Sequence, residues 1–206
     1  MTMLKIWKTH AAVQLPKRQT SQSACFDLAF QSAGKREFKG YSHMNKPFTR
    51  QLRDRLTVAP GERALIPTGC IMDIPEGFSV RLHARSGTSL KQGLVLANAE
   101  GVIDSDYVEE VFVILHNISG NAVTIENGDR IAQAELIRDL DYSIEETAAR
   151  PGVKTTRVGG MGSTGVTDNG NTITLNISEP KIPEFVKNNA KIETAKRGRG
   201  RPKKTA

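Results

Sequence analysis

The sequence predicts an all-β fold, and three observations carry that prediction. Apolar residues alternate with polar ones over short runs, turn signals rich in Gly, Pro and Asn separate those runs, and no long stretch keeps a helical period. Such a pattern reads as a barrel or sandwich of short strands. With 206 residues, 38% of them hydrophobic, the chain can bury one core and carry an appendage.

Taken in order, residues 4–7 and 25–30 are expected strands. Residues 31–56 mix basic side chains with Phe38, Tyr41, His43 and Phe48 without a clean period, and are expected to form a long inserted loop or flap. After the Ala59-Pro60-Gly61 turn, 63–67 and 70–74 read as two short strands, the second stopped by Pro75-Glu76-Gly77. Val80, Leu82 and Ala84 alternate with Arg81, His83 and Arg85, giving one apolar and one polar face. Residues 88–93 suit a short turn of helix, and 94–97 suit a strand. The run 110–115, EVFVIL, is apolar on both faces and predicts a central strand covered on each side. Strands are also expected at 123–126 and 131–137, joined by the Asn127-Gly128-Asp129 turn. A polar connector follows over 139–156, then a Gly-rich stretch at 157–165 and a candidate extra strand within 166–180.

Charge is distributed unevenly. Residues 181–206 hold nine Lys/Arg against two Asp/Glu, which accounts for the whole formal charge of +7. Residues 31–56 are also basic, seven against two, whereas 57–180 hold nine basic and seventeen acidic residues. An acidic body with two basic attachments is the result. Cys25 and Cys70 sit in apolar, strand-like contexts and are expected as small buried thiols in a reducing compartment. No run reaches the length of a membrane span and residues 1–15 lack the apolar centre of a signal peptide, so a soluble, cytoplasmic protein with no membrane partner is expected.

The residues richest in chemistry lie between 84 and 107. Arg85-Ser86-Gly87 leaves a strand and enters a helical turn, so its N–H groups, hydroxyl and guanidinium can converge on an anion; a capped surface turn is the plain alternative. Asp104 follows the apolar Gly101-Val102-Ile103 run at the edge of an expected hairpin, placed either to deprotonate a water or simply to satisfy turn amides. The glycines of 159–165, with Arg157 before them, suit either an arm that folds over a ligand or a flexible linker.

Together these pieces resemble the five motifs of the trimeric deoxyuridine triphosphatase (dUTPase) family. The first is Ser23-Ala24-Cys25-Phe26-Asp27-Leu28-Ala29, the second Arg85-Ser86-Gly87 with Lys91 and Gly93, and the third Asn98 through Tyr107. The fourth is Gly128-Asp129-Arg130-Ile131-Ala132-Gln133, and the fifth is Arg157 with 159–165. The resemblance implies a jelly-roll or β-clip barrel over residues 1–165, assembled as a homotrimer with active sites shared among three chains. It implies dUTP as substrate, with dUMP and pyrophosphate as products. Asp104 would activate the attacking water, and Asn98 with the backbone of Gly101, Val102 and Ile103 would read uracil. Tyr107 would pack on the deoxyribose, and Arg85, Ser86, Gly87 and Gln133 would bind phosphates. Asp27 would position Mg²⁺ through water, while Arg157, Met161, Gly162 and Ser163 would close over the nucleotide. The sequence departs from the family's usual form at Met161, where an aromatic ring is common, at Arg157, one residue nearer the glycines, and at Val108-Glu109 in place of Arg-Gly.

The tail is a separate signal. Residues 196–204, with Arg197, Arg199, Gly200, Arg201, Pro202 and Lys203, resemble an AT-hook, whose extended Arg-Gly-Arg-Pro core lies in the minor groove of A·T-rich DNA; an unspecific basic, disordered tail is the alternative. Two competing functions follow from these features: a DNA-binding or regulatory protein on a dUTPase scaffold, and a dCTP deaminase. The deaminase ranks low, because its proton-shuttling Glu is expected where this chain has Val113-Ile114-Leu115.

Overall fold

The computed structural model describes residues 2–156. The expectations for 157–165, the candidate strand within 166–180 and the tail lie outside the described residues, and with them Arg157, Met161, Gly162, Ser163 and the AT-hook-like run. Residues 1–144 form one compact unit. It contains β1 (Lys5–Lys8), β2 (Phe26–Ala29), β3 (Glu37–Tyr41), β4 (Pro47–Gln51), β5 (Arg55–Val58), β6 (Arg63–Asp73) and β7 (Phe78–His83). After the single described helix α1 (Ser86–Gln92) come β8 (Leu94–Leu96), β9 (Gly101–Ile103), β10 (Glu110–Asn117), β11 (Val123–Glu126) and β12 (Arg130–Arg138). A second unit begins at Glu145, and its described part, 145–156, holds no helix or strand, in keeping with the expected connector. Among the described residues no helix is long and apolar enough to cross a membrane.

All pairings are antiparallel. One sheet runs β4-β3-β6-β10-β8, with β1 also on β6; a second runs β2-β12-β7-β9; β5 and β11 form a ribbon. The all-β expectation is met. Leu28, Phe30, Ile66, Val80, Val113 and Ile125, from all three sheets, meet in one core. Each fully buried aliphatic or aromatic side chain of this kind contributes about 1.5–3 kcal/mol.

Four expectations change. Residues 31–56 are not an irregular loop: β3 and β4 pair into a hairpin whose first strand also pairs with β6. Its alternation is hidden because Gly40 supplies one inward position, leaving Phe38 as the sole large buried residue of β3, set edge-on to Phe48 at 5.9 Å. One of its charges is paired within the chain: Arg50 lies 4.0 Å over the Phe48 ring and forks onto buried Glu62. The two strands expected at 63–67 and 70–74 are one, β6, which passes through Gly69 at φ 67. Gly69 N–H donates to the buried Glu110 carboxylate, itself bridged by Lys35, so the irregularity has its own polar partners. The expected hairpin around Asn98 is not a paired ladder either, since β8 bonds β10 and β9 bonds β7 in a different sheet.

Finally, β10 is covered on one face only. Val111, Val113 and Leu115 are buried, while Ile114 is exposed and Phe112 half-buried. Register places Ile114 beside Leu65 and Phe112 beside Pro67, and exposed Trp7 beside Ile71 on the same outer face. The apolar pattern of EVFVIL therefore records a surface that one chain alone does not cover.

Candidate active site

The four-stranded sheet gathers the polar residues of three separated sequence stretches. Asp27 on β2 faces Gln133 on β12, which faces His83 at the end of β7, and Arg85 follows at once. Side chains alternate across a strand. Cys25 and Asp27, Gln133 and Glu135, and His83 and Arg85 consequently share the face turned away from the core.

On that face Asp27 is a hub. One carboxylate oxygen accepts from Arg85 Nε at 3.0 Å, and the other accepts from an Arg130 terminal nitrogen at 3.0 Å. Arg85 also donates to the Arg130 carbonyl at 2.9 Å, and Gln133 Nε2 donates to the Ala84 carbonyl at 3.0 Å. Asp27, expected at the metal, is thus tied to Arg85, expected at the phosphates, and Gln133 is fixed beside them. Arg130 was not singled out by sequence reasoning, although its place between Gly128 and Gln133 in the fourth motif marked it. Asp27, Arg85 and Arg130 together carry one net positive charge between two polar clefts of about 260 and 200 Å³, the first lined by Lys17, Asp27 and Arg130, the second by Arg85, Thr88 and Arg130.

Ser86 and Gly87 open α1 as exposed residues after an extended Arg85 that makes no side-chain cap. The first-turn N–H groups therefore have no intrahelical acceptor. At the other end Gly93 takes φ 67, and its N–H closes onto Ser89 O. A Cβ there would lie 2.8 Å from Ser119 Cβ, so Gly both ends the helix and admits the Asn117 turn beside it. That turn hangs on buried Asn117, whose amide donates to Val58 O and Asn121 O while its oxygen accepts from Ser119.

The third-motif residues stand apart from this cluster. Asn98 is exposed in the turn between β8 and β9 and lines an apolar groove of about 630 Å³ with Tyr41, Phe48, Arg63, Leu65 and Ile114. Gly101 is buried, Val102 exposed and Ile103 half-buried along β9. Asp104 is exposed just beyond β9, and Tyr107 is 40% exposed with its hydroxyl donating to Glu110 O at 2.9 Å. Ile103 pairs with Val80, so Asp104 sits level with Ser79, whereas Ser86 lies at the opposite end of β7. Those levels differ by about seven residues, or about 23 Å of extended chain. A single protomer does not bring Asp104 to the Asp27-Arg85-Arg130 cluster.

The donor set also bears on a metal. Both Asp27 oxygens already accept guanidinium hydrogen bonds, so the carboxylate is not free to wrap a bare cation, but each oxygen keeps a lone pair for a water. This fits a Mg²⁺ held mainly by phosphates and touched through its water shell, Mg²⁺ being reluctant to shed water. Beside Asp27, the Cys25 thiol is pushed up from its ordinary pKa of 9.0 by burial, then by the carboxylates of Glu135 and Asp27. It is therefore a protonated thiol in this state. Cys70 is buried as expected and Cys25 only half-buried; both are free.

A family model for dUTPase matches residues 48–165. The deoxyuridine 5'-triphosphate nucleotidohydrolase of Rhizobium leguminosarum bv. trifolii is 47% identical over 112 residues, covering 54% of this chain and 70% of that protein. The enzyme of the same name from Brucella melitensis is 38% identical over 154 residues, covering 74% and 85%. Among solved structures, the dUTPase from Streptococcus mutans superposes with a TM-score of 0.52 at 26% identity, over 68% of this chain and 98% of that one. The Staphylococcus bacteriophage 80alpha dUTPase with dUPNHPP shares the fold, with a TM-score of 0.63 at 21% identity, over 81% and 100%. With the family model spanning Arg85, Asn98, Asp104 and Gln133, and relatives aligned over most of their length, the chain belongs to the dUTPase family.

Proposed function

We propose that this protein is a Mg²⁺-dependent dUTP diphosphatase, hydrolysing dUTP to dUMP and pyrophosphate and so supplying dUMP while keeping uracil out of DNA. The observation that carries the reading is the convergence of three of the five motifs, through Asp27, Arg85 and Arg130-Gln133, on one cationic cluster at the mouth of α1. Arg85, Gln133 and the N–H groups of Ser86 and Gly87 grip the phosphates. Asn98 and the backbone of Gly101, Val102 and Ile103 read the uracil edge, and the Tyr107 ring, anchored on Glu110 O, leaves no room for a 2′-hydroxyl. Asp104 takes a proton from the water that attacks the α-phosphorus; the bond to the bridging oxygen breaks and pyrophosphate leaves. When bound, Mg²⁺ offsets triphosphate charge and fixes in-line geometry, and Asp27 orders its water shell.

The site is composite. Asp104 from one protomer meets the Asp27-Arg85-Arg130 cluster of another in a homotrimer, which accounts for the wide separation of the two within one chain. The open outer face of β10 supplies apolar surface of the kind that assembly buries. Arg157, Met161, Gly162 and Ser163 complete the nucleotide contacts at the end of a catalytic domain of residues 1–165.

The test is pyrophosphate release across all four canonical deoxynucleoside triphosphates and dUTP, with and without Mg²⁺. Turnover confined to dUTP is expected, and Asp104→Asn should bind dUTP while hydrolysing it about 10²–10⁴-fold more slowly. Near-normal release by that variant would remove Asp104 from the mechanism, and ammonia release from dCTP would move the chain to deaminase chemistry. A second reading concerns the tail alone: residues 196–204 place the enzyme on A·T-rich DNA. Deleting 196–206 should abolish a salt-sensitive gel shift on A·T-rich duplex and leave hydrolysis intact; equal binding to G·C-rich duplex would reduce the tail to a general polyanion binder.

A further inference from the structure

Two residues along from Asp27, the same sheet face presents a donor set that phosphate chemistry does not use. Cys25 Sγ, a ring nitrogen of His83 and a carboxylate oxygen of Glu135 lie within 4.8 Å of one another, all three half-buried and so open to solvent on one side. Sulfur, nitrogen and oxygen donors converging from just before β2, from the end of β7 and from β12 match what borderline divalent metals take, and not what Mg²⁺ takes.

We propose that Cys25, His83 and Glu135 form a three-ligand site for Zn²⁺ or a similar transition-metal ion, separate from the triphosphate's Mg²⁺. The geometry supports it on two independent counts. First, His83 Nε2 and Glu135 Oε1 are 3.0 Å apart, a few tenths of an ångström short of the edge, about 3.3–3.6 Å, of a tetrahedron with metal–ligand bonds of about 2.0–2.2 Å, so a small separation admits the ion. Second, the other ring nitrogen, Nδ1, faces Glu100 Oε1 at 3.7 Å, and Glu100 is in turn held by Arg81 at 3.7 Å. A ligating histidine whose second nitrogen is aimed at a carboxylate is the usual way a protein fixes the tautomer and orientation of a metal ligand. A simple His83–Glu135 ion pair would explain neither the thiol beside it nor the second carboxylate behind it. With the thiol proton released to solvent on binding, thiolate, carboxylate and a divalent cation make a neutral unit, and a fourth position stays open for water.

The full-length protein, freed of metal by chelation, is titrated with Co²⁺ alone and, separately, dialysed against Zn²⁺ alone with metal content measured per chain. The proposal expects one equivalent per chain, an intense thiolate-to-cobalt charge-transfer band, and visible bands of tetrahedral strength. Cys25→Ser should lose the charge-transfer band, while His83→Ala and Glu135→Gln should lose stoichiometric binding. Glu100→Gln should keep the band and weaken affinity by about 10–100-fold, the signature of an outer partner and not of a ligand. Circular dichroism of each variant verifies folding, and the Glu100 variant reports even where a ligand variant is damaged. Absence of a thiolate band in the wild-type protein, or Zn²⁺ content unchanged in both Cys25→Ser and His83→Ala, would overturn the proposal. These readouts are independent of dUTP hydrolysis.

Discussion

The separation of Asp104 from the phosphate cluster makes a quantitative prediction about mixed assemblies. Asp104 lies level with Ser79, and Ser86 lies at the other end of β7, about 23 Å away along extended chain. A triphosphate is too short to touch both within one protomer, so in the proposed composite site Asp104→Asn and Arg85→Gln would damage one site from different chains. Each homogeneous variant should be inactive for its own reason. When the two are unfolded together and co-refolded in equal amounts, a site is intact wherever the protomer donating Arg85 is the Asp104 variant and its neighbour donating Asp104 is the Arg85 variant. In a randomly mixed cyclic trimer that holds for about one quarter of sites. Pyrophosphate release should therefore recover to about 25% of wild type, against a background at least about 10²-fold lower for either variant alone. Size-exclusion chromatography checks that the mixture assembles. Correctly assembled mixtures that stay at background would mean that both residues act from one chain, and the composite-site argument would be wrong.

Two predictions concern stability. Gly69→Ala places a Cβ 2.5 Å from Val13 Cγ2 at a residue with φ 67, so left-handed strain and overpacking add, and a loss of about 2–4 kcal/mol is expected by denaturant titration. Glu62→Gln removes a buried carboxylate that accepts two hydrogen bonds from Arg50 and one from Ala59 N–H. Arg50 holds the Glu62 pKa below its ordinary 4.5, so the carboxylate contributes stability above that pH and loses it as pH falls through the lower folded value. Wild type should exceed the variant by about 2 kcal/mol at neutral pH, the gap narrowing as pH falls below the ordinary 4.5 and through the lower folded value.

The sequence disclosed strand after strand but concealed how the strands are grouped. Alternation at 123–126 and 131–137 and the Asn127-Gly128 turn located β11 and β12 closely, because each strand has one buried and one wet face. The β3–β4 hairpin escaped notice because Gly40 carries no side chain to mark its inward position: a Cβ there would lie 2.3 Å from Arg63 O and 2.5 Å from the Phe48 ring. The assignment of β8 and β9 to different sheets is equally invisible to periodicity, which reports which face is buried and not which strand is adjacent. At the site, family motifs pointed to Asp27, Arg85 and Gln133. Arg130 stood in the fourth motif, but its role came only from the fold, since its pairing to Asp27 spans about a hundred residues of sequence.

A carboxylate at the centre of a polyanion site looks out of place, and the structure turns that into a decision between two effects. By charge alone Asp27 repels phosphate, so Asp27→Asn should tighten binding. By geometry it holds two guanidiniums that line the clefts: Arg85 by Nε and Arg130 by a terminal nitrogen, each at 3.0 Å. A free arginine carries about 2 kcal/mol of rotamer entropy, much of which would otherwise be lost on binding. Two arginines held before the ligand arrives avoid a good part of that loss, and both stay paired when the site is empty. Asp27 side-chain exposure of 13% puts the pair in a medium where its Coulomb attraction is only partly screened. Positioning should therefore win. In EDTA, where no metal contributes, dUDP should bind Asp27→Asn about 5–10-fold more weakly than wild type by calorimetry, corresponding to about 1–1.4 kcal/mol. Tighter binding would show that Asp27 is at the site for its charge toward the metal and not for the order it imposes on Arg85 and Arg130.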